Sequence, residues 1–155
     1  MMRTRTIVLT VATCLVGLTL CFAENAHMGT WKLNEAKSKL NAGLPKNTAV
    51  SYEAVGDKIK ATVDGVDGKG NATHNEWTGK FDGKDYPVTG DPSSDARAYK
   101  TVDARTLDLT VKKDGKVTMT GKIVVSADGK SRTLTASGTD SAGKKIHSTS
   151  VYDKQ

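Results

Sequence analysis

At 155 residues the chain is sized for one domain, which can bury roughly two thirds of its unfolded surface without staples. Its apolar share of 37 % implies a thin core, and its charge of +6 is carried mostly by scattered lysines. That pattern argues against nucleic-acid binding, which favours clustered arginines interleaved with stacking aromatics.

Arg3 and Arg5 precede an apolar run from Ile7 to Phe22, and Cys21-Phe22-Ala23 closes the run with small residues around a large one. This reads as a secretory signal peptide spanning 1–23, too short for a membrane span and followed directly by a cleavage sequence. Export to a periplasmic or extracellular space is therefore expected. Both cysteines, Cys14 and Cys21, lie inside that segment, so the mature chain is cysteine-free. Disulfides, thiolate nucleophiles and cysteine-based zinc sites are excluded with them.

Residues 24–155 read as a single domain with no linker. Gly29-Thr30-Trp31-Lys32-Leu33 is the expected first strand. A short helix over Glu35–Ala42 is expected next, with Asn34 as its cap, Gly43 at its left-handed end and Pro45 as the stop. Ala36 and Leu40 would face the sheet, and the helix would sit over one end of a barrel as a plug or gate.

From Thr48 onward the sequence alternates between β segments and turn signals. Asp-Gly-Lys recurs at Asp67, Asp82, Asp114 and Asp128, with Ala142-Gly143-Lys144 as a relative. Asp-Gly is favoured in tight hairpins because both residues tolerate positive φ. Between these reversals lie Thr48–Val55, Lys58–Val66, Asn71–Phe81, Lys84–Val88, Ala96–Val102, Arg105–Lys113, Lys116–Ser126, Ser131–Asp140 and Lys144–Tyr152, rich in Val, Thr, Ile and Tyr. Leu107, Leu109 and Val111 alternate with Thr106, Asp108 and Thr110, and Val117, Met119, Ile123 and Val125 do much the same. One face is wet and one is dry. The expected fold is all-β: an up-and-down antiparallel β-barrel of about ten strands with one short helix between the first two strands, a two-sheet sandwich being the competing closure. The run from Gly90 to Asp95 is the longest irregular loop and belongs at a barrel end.

Gly29-Thr30-Trp31 on the first strand of such a meander resembles the calycin group of lipocalins, fatty-acid-binding proteins and avidins, and more narrowly small secreted bacterial lipocalin-like proteins. The resemblance implies that Trp31 seals one barrel end, with Gly29 allowing close approach, and that the lumen holds a small apolar ligand. It also marks departures. Lipocalins carry disulfides or a basic residue near the last strand that packs over this tryptophan, whereas the last strand here ends Ser148-Thr149-Ser150-Val151-Tyr152-Asp153-Lys154. The Arg-x-Tyr pair of fatty-acid-binding proteins is likewise replaced by Ser150-Val151-Tyr152.

The candidate ligand-binding residues are Tyr52, Trp77, Arg97, Tyr99, Leu109 and Met119. Arg97 and Tyr99 are two apart and share one strand face, either the lumen or the outer wall. A lumenal arginine would require an anionic companion. His74 and Glu76 share the face opposite Trp77 and Phe81 and read as solvated rather than as a metal site. Asp64–Asn71 lacks the calcium-loop alternation, Gly68-Lys69-Gly70 is followed by no helix, and no nucleophile elbow or paired carboxylates occur. No enzyme activity, metal or cofactor is implied. The expected function is small-molecule binding in the lumen. The competing one is protein interaction through the Gly90–Asp95 loop and the Gly43–Asn47 segment, around a lumen filled by its own side chains.

Overall fold

The computed structural model describes residues 25–140 and 142–155, so the signal segment expected over 1–23 lies outside the described residues. Ten antiparallel strands follow one another around a closed barrel: β1 (Gly29–Leu33), β2 (Lys46–Val55), β3 (Lys58–Val66), β4 (Ala72–Gly79), β5 (Tyr86–Thr89), β6 (Ala96–Asp103), β7 (Thr106–Lys113), β8 (Lys116–Val125), β9 (Ser131–Thr139) and β10 (Lys145–Lys154). Closure runs through β1, where Trp31 pairs with Val50 of β2 on one side and Lys154 of β10 on the other. Closure removes the open edges that an alternating sheet would otherwise present.

Three of the four Asp-Gly-Lys turns are built by their leading aspartate. Asp67, Asp82 and Asp128 each accept a hydrogen bond from the backbone N–H of the lysine two residues on. This side-chain turn explains the recurrence better than paired positive φ. Only Asp114-Gly115 has positive φ at both residues (51° and 74°).

The expected helix over Glu35–Ala42 does not form. Glu35–Lys37 makes a single 3-10 turn with Asn34 as its cap, and the chain then returns to strand pairing. Lys39 pairs with Thr149 of β10, Ser38 Oγ accepts from Val151 N at 2.9 Å, and Asn41 Nδ2 donates to His147 O at 2.9 Å. Backbone pairing with β10 thus outcompetes a short helix, whose nucleation is costly. The segment prolongs the β1–β10 seam along the barrel wall and does not cover an end. Ala36 is exposed and Leu40 half-buried.

The weakest seam is β5. It pairs through only Glu76–Thr89 and Trp77–Val88 on one side and Tyr86–Arg97 and Pro87–Ala96 on the other. Pro87 has no N–H to contribute to the ladder. The Gly90–Asp95 loop leaves from this seam.

The lower end of the barrel carries the start of β1, the end of β10 and the β2–β3, β6–β7 and β8–β9 turns. Every Trp, Tyr and Phe of the described chain joins one cluster in this lower half. Trp77 stacks on Phe81 and meets Tyr99 and Tyr86 edge-on; Tyr52 meets Phe81 and Tyr99 edge-on; Trp31, Tyr52 and Tyr152 surround the Arg132 guanidinium at 4.8–5.4 Å. The upper half is lined by smaller aliphatic and polar side chains.

Candidate functional site

Strand parity places the expected residues in the lumen. Tyr52 on β2, Trp77 on β4, Arg97 and Tyr99 on β6 and Leu109 on β7 are buried, and Met119 on β8 is half-buried against the same core. Arg97 and Tyr99 therefore face inward, which resolves the alternative left by their spacing. His74 and Glu76 face outward, where His74 Nδ1 meets Asp64 Oδ1 at 2.7 Å and Glu76 pairs with Lys60 at 2.6 Å. Among the described residues, no three His, Cys, Asp or Glu side chains converge as a metal would require.

At the junction of the two halves, Trp77 Nε1 donates to the Arg97 carbonyl at 2.8 Å, tying the aromatic cluster to β6. Burial pushes the Tyr99 hydroxyl well above the ordinary tyrosine range; the neighbouring Tyr52 adds to this and Arg97 opposes it. Tyr99 is thus a neutral hydroxyl donor at any physiological pH. Arg97, 7 % exposed, makes long polar contacts: Nη2 donates to Asn75 Oδ1 at 3.4 Å and faces Asp91 Oδ2 at 3.5 Å. Asp91 is held by Ser93 N at 2.8 Å and by the hydroxyls of Ser93 and Ser94. Burial acts to raise the Asp91 carboxyl, but the Ser93 and Ser94 hydrogen bonds and the Arg97 charge together hold it below the ordinary carboxylate range. The Gly90–Asp95 loop therefore places an anion over a buried cation at the upper end.

Trp31, Ala61, Trp77, Leu107 and Val125 are at most 1 % exposed, whereas Asn75, Val88, Arg97, Val111 and Ser150 keep 7–9 % exposure. A separate shallow groove of about 630 Å³ lies on the outer wall over β7–β9, lined by Asp108, Thr110, Thr120, Lys122, Thr135 and Ser137.

Parity along the strands also turns three polar residues inward. Asn75 is two before Trp77, and Ser150 is two before Tyr152. Arg132 is two before Leu134 on β9, so it shares the apolar face. It supplies a basic group over Trp31 from β9, its guanidinium 5.4 Å from that ring. Lys154 adds a second at 5.3 Å. Gly29 has φ +96°, and a Cβ there would lie 3.3 Å from Lys154 Cε. The approach that this glycine permits is by a side chain crossing Trp31, not by another backbone.

No family model matches the sequence, and comparison with curated proteins finds no match. Among solved structures the chain is similar to "EF1p2_mFAP2b bound to DFHBI", with a TM-score of 0.50 and 12 % identity over 84 % of this chain and 94 % of that one. It is also similar to lobster apocrustacyanin A1, with a TM-score of 0.44 and 13 % identity over 85 % of this chain and 62 % of that one. The closed ten-strand antiparallel barrel, together with the first of these likenesses, defines a lipocalin-like fold.

Proposed function

We propose that the barrel binds a small, mostly apolar molecule in the upper half of its lumen, with an anionic or hydrogen-bond-accepting end against Arg97. The observation that carries this reading is the Arg97 guanidinium, buried on the inward face of β6 yet held by contacts of 3.4 and 3.5 Å. A buried cation gains most from a close, desolvated anion. Val50, Val63, Val88 and Val111 supply apolar wall around it, and Tyr99 supplies a hydroxyl donor. Entry requires Asp91 to swing off Arg97 with its loop. A solved barrel of this architecture is described as bound to DFHBI, which supports the lumen as a place where a small molecule can sit. Within the same proposal the protein is exported and residues 1–23 are removed, as the basic start and apolar run of that segment imply.

The test is titration with 1-anilinonaphthalene-8-sulfonate, an apolar anion, read by its fluorescence and by quenching of tryptophan. Arg97→Met should weaken binding at least tenfold, about 1.4 kcal/mol, while the barrel stays folded by circular dichroism. Equal affinity in the variant and the parent overturns the site.

A second reading keeps the lumen closed and makes the upper loops a protein-binding surface. The full packing of the lower half favours it, as does the placement of the Gly43–Asn47 segment and the Gly90–Asp95 loop at the same end. On that reading neither protein shows saturable quenching, and a stoichiometric protein partner is recovered whose binding is lost on altering the two loops.

A further inference from the structure

Below Trp31 the chain enters through a turn, Asn25–Met28, that closes the lower end. Met28 N donates to Asn25 O at 2.9 Å and His27 N donates to Asn25 Oδ1 at 3.1 Å, so the turn is internally capped. It docks by one polar bond, Trp31 Nε1 donating to His27 O at 2.9 Å, and by the His27 ring meeting Phe81 edge-on at 6.2 Å. His27 is 2 % exposed, and neither ring nitrogen has a hydrogen-bond partner.

The groups facing this imidazole set its response to protons. Arg132 approaches from β9, 3 % exposed and caged by Trp31, Tyr52 and Tyr152, with Nε and Nη1 lacking partners. From the end of β6, Asp103 acts in the opposite sense, but its carboxylate is spent on Arg105 N at 2.8 Å. Phe81 offers only a ring edge, and residues 25–28 carry no other charge. Imidazolium at this position would be a second buried cation beside Arg132 with nothing to accept its protons.

We propose that Asn25–Met28 is an acid-released plug: protonation of His27 expels the turn from beneath the barrel and opens the lower end onto Trp31 and Arg132. This device does not depend on a ligand in the upper lumen. Burial, and after it the Arg132 charge, push the docked imidazole from 6.5 down to about 4, with Asp103 opposing. The released turn recovers the ordinary value, so it binds the proton more tightly than the docked one. Docking is therefore strongest above pH 6.5 and weakens as the pH falls toward 4, after which no further loss occurs.

The test follows hydrogen exchange of the Trp31 indole N–H in the whole protein, because that group donates to the plug. The comparison is with His27→Phe, which keeps a ring against Phe81 but takes no proton. The ratio of protection in the parent to protection in the variant should fall by about 30-fold between pH 7.5 and pH 5, and by more than about 100-fold at pH 4. A ratio independent of pH overturns the proposal. Should the variant not fold, titration of the imidazole in the parent decides: a docked His27 still neutral at pH 5 supports the plug, and one titrating at about 6.5 while docked refutes it.

Discussion

Gly79 is where the aromatic cluster is most sensitive to a single atom. A Cβ built there would fall 2.5 Å from Tyr86 Cγ and 2.6 Å from Trp77 Cζ2, both inside van der Waals contact. Neither ring can yield cheaply, because Trp77 is anchored through its indole to the Arg97 carbonyl and Tyr86 through its hydroxyl to Asp82 Oδ2 at 2.9 Å. Gly79→Ala should therefore cost about 1–3 kcal/mol of stability, seen as a lower urea midpoint at unchanged m value. A midpoint equal to that of the parent would show that the two rings do not occupy the glycine's side-chain space. Arg132 shows why such residues are harder to read than to explain. On a strand beginning Ser131-Arg132-Thr133 its charge suggests solvent, yet alternation with Leu134 and Ala136 puts it inside, where three aromatic faces replace water around a weakly hydrated guanidinium. Side-chain polarity and strand parity disagreed there, and parity decided.

The connection from β1 to β2 shows the same competition between local preference and tertiary pairing. Asn34, Glu35 and Gly43 are sound helix punctuation, and the Asn34 cap forms, its Oδ1 accepting from Lys37 N at 3.1 Å. Helix propensity over a few residues is nonetheless worth little against the backbone bonds offered by β10. No local pattern could reveal that β10, more than a hundred residues away, runs beside this segment. Asn34 also donates through Nδ2 to Asp153 Oδ2 at 2.6 Å, so one side chain pins both the turn and the last strand. Asn34→Ala should cost about 1–2 kcal/mol and lower the exchange protection of the Ser38 and Lys39 amides, leaving the β6–β7 ladder untouched. Loss of protection spread evenly through the barrel would instead make Asn34 a determinant of closure itself. The strands themselves were legible because a closed barrel with one dry face imposes period-two alternation, and short turns confine the uncertainty to strand ends. What the sequence could not show is which end would be full, since that depends on the register that gathers residues from distant strands into one layer.

That register divides the molecule into unequal halves. Large rings and a caged arginine fill the bottom, while valines, Asn75, Ser150 and a loosely held Arg97 line the top beside the two-pair seam of β5. Burial of apolar area dominates local as well as global stability, so the halves should open independently. Amides of β1, the end of β2 and the start of β9 should exchange only through global unfolding. Those of β5, the Gly90–Asp95 loop and the Asp67–Asn71 and Asp140–Lys144 turns should exchange through local openings. A molecule bound against Arg97 contacts only the upper set. At low occupancy-weighted cost it first quiets the local openings, and at a free concentration a hundred times its dissociation constant it raises global stability by about 2.7 kcal/mol, which then appears at the lower amides too. Protection measured with and without 1-anilinonaphthalene-8-sulfonate therefore locates the site without a mutation. Slowing confined at first to β5 and its loop places the probe in the upper lumen, whereas slowing that begins at Trp31 and Tyr152 places it under the plug and moves the binding function to the other end of the barrel.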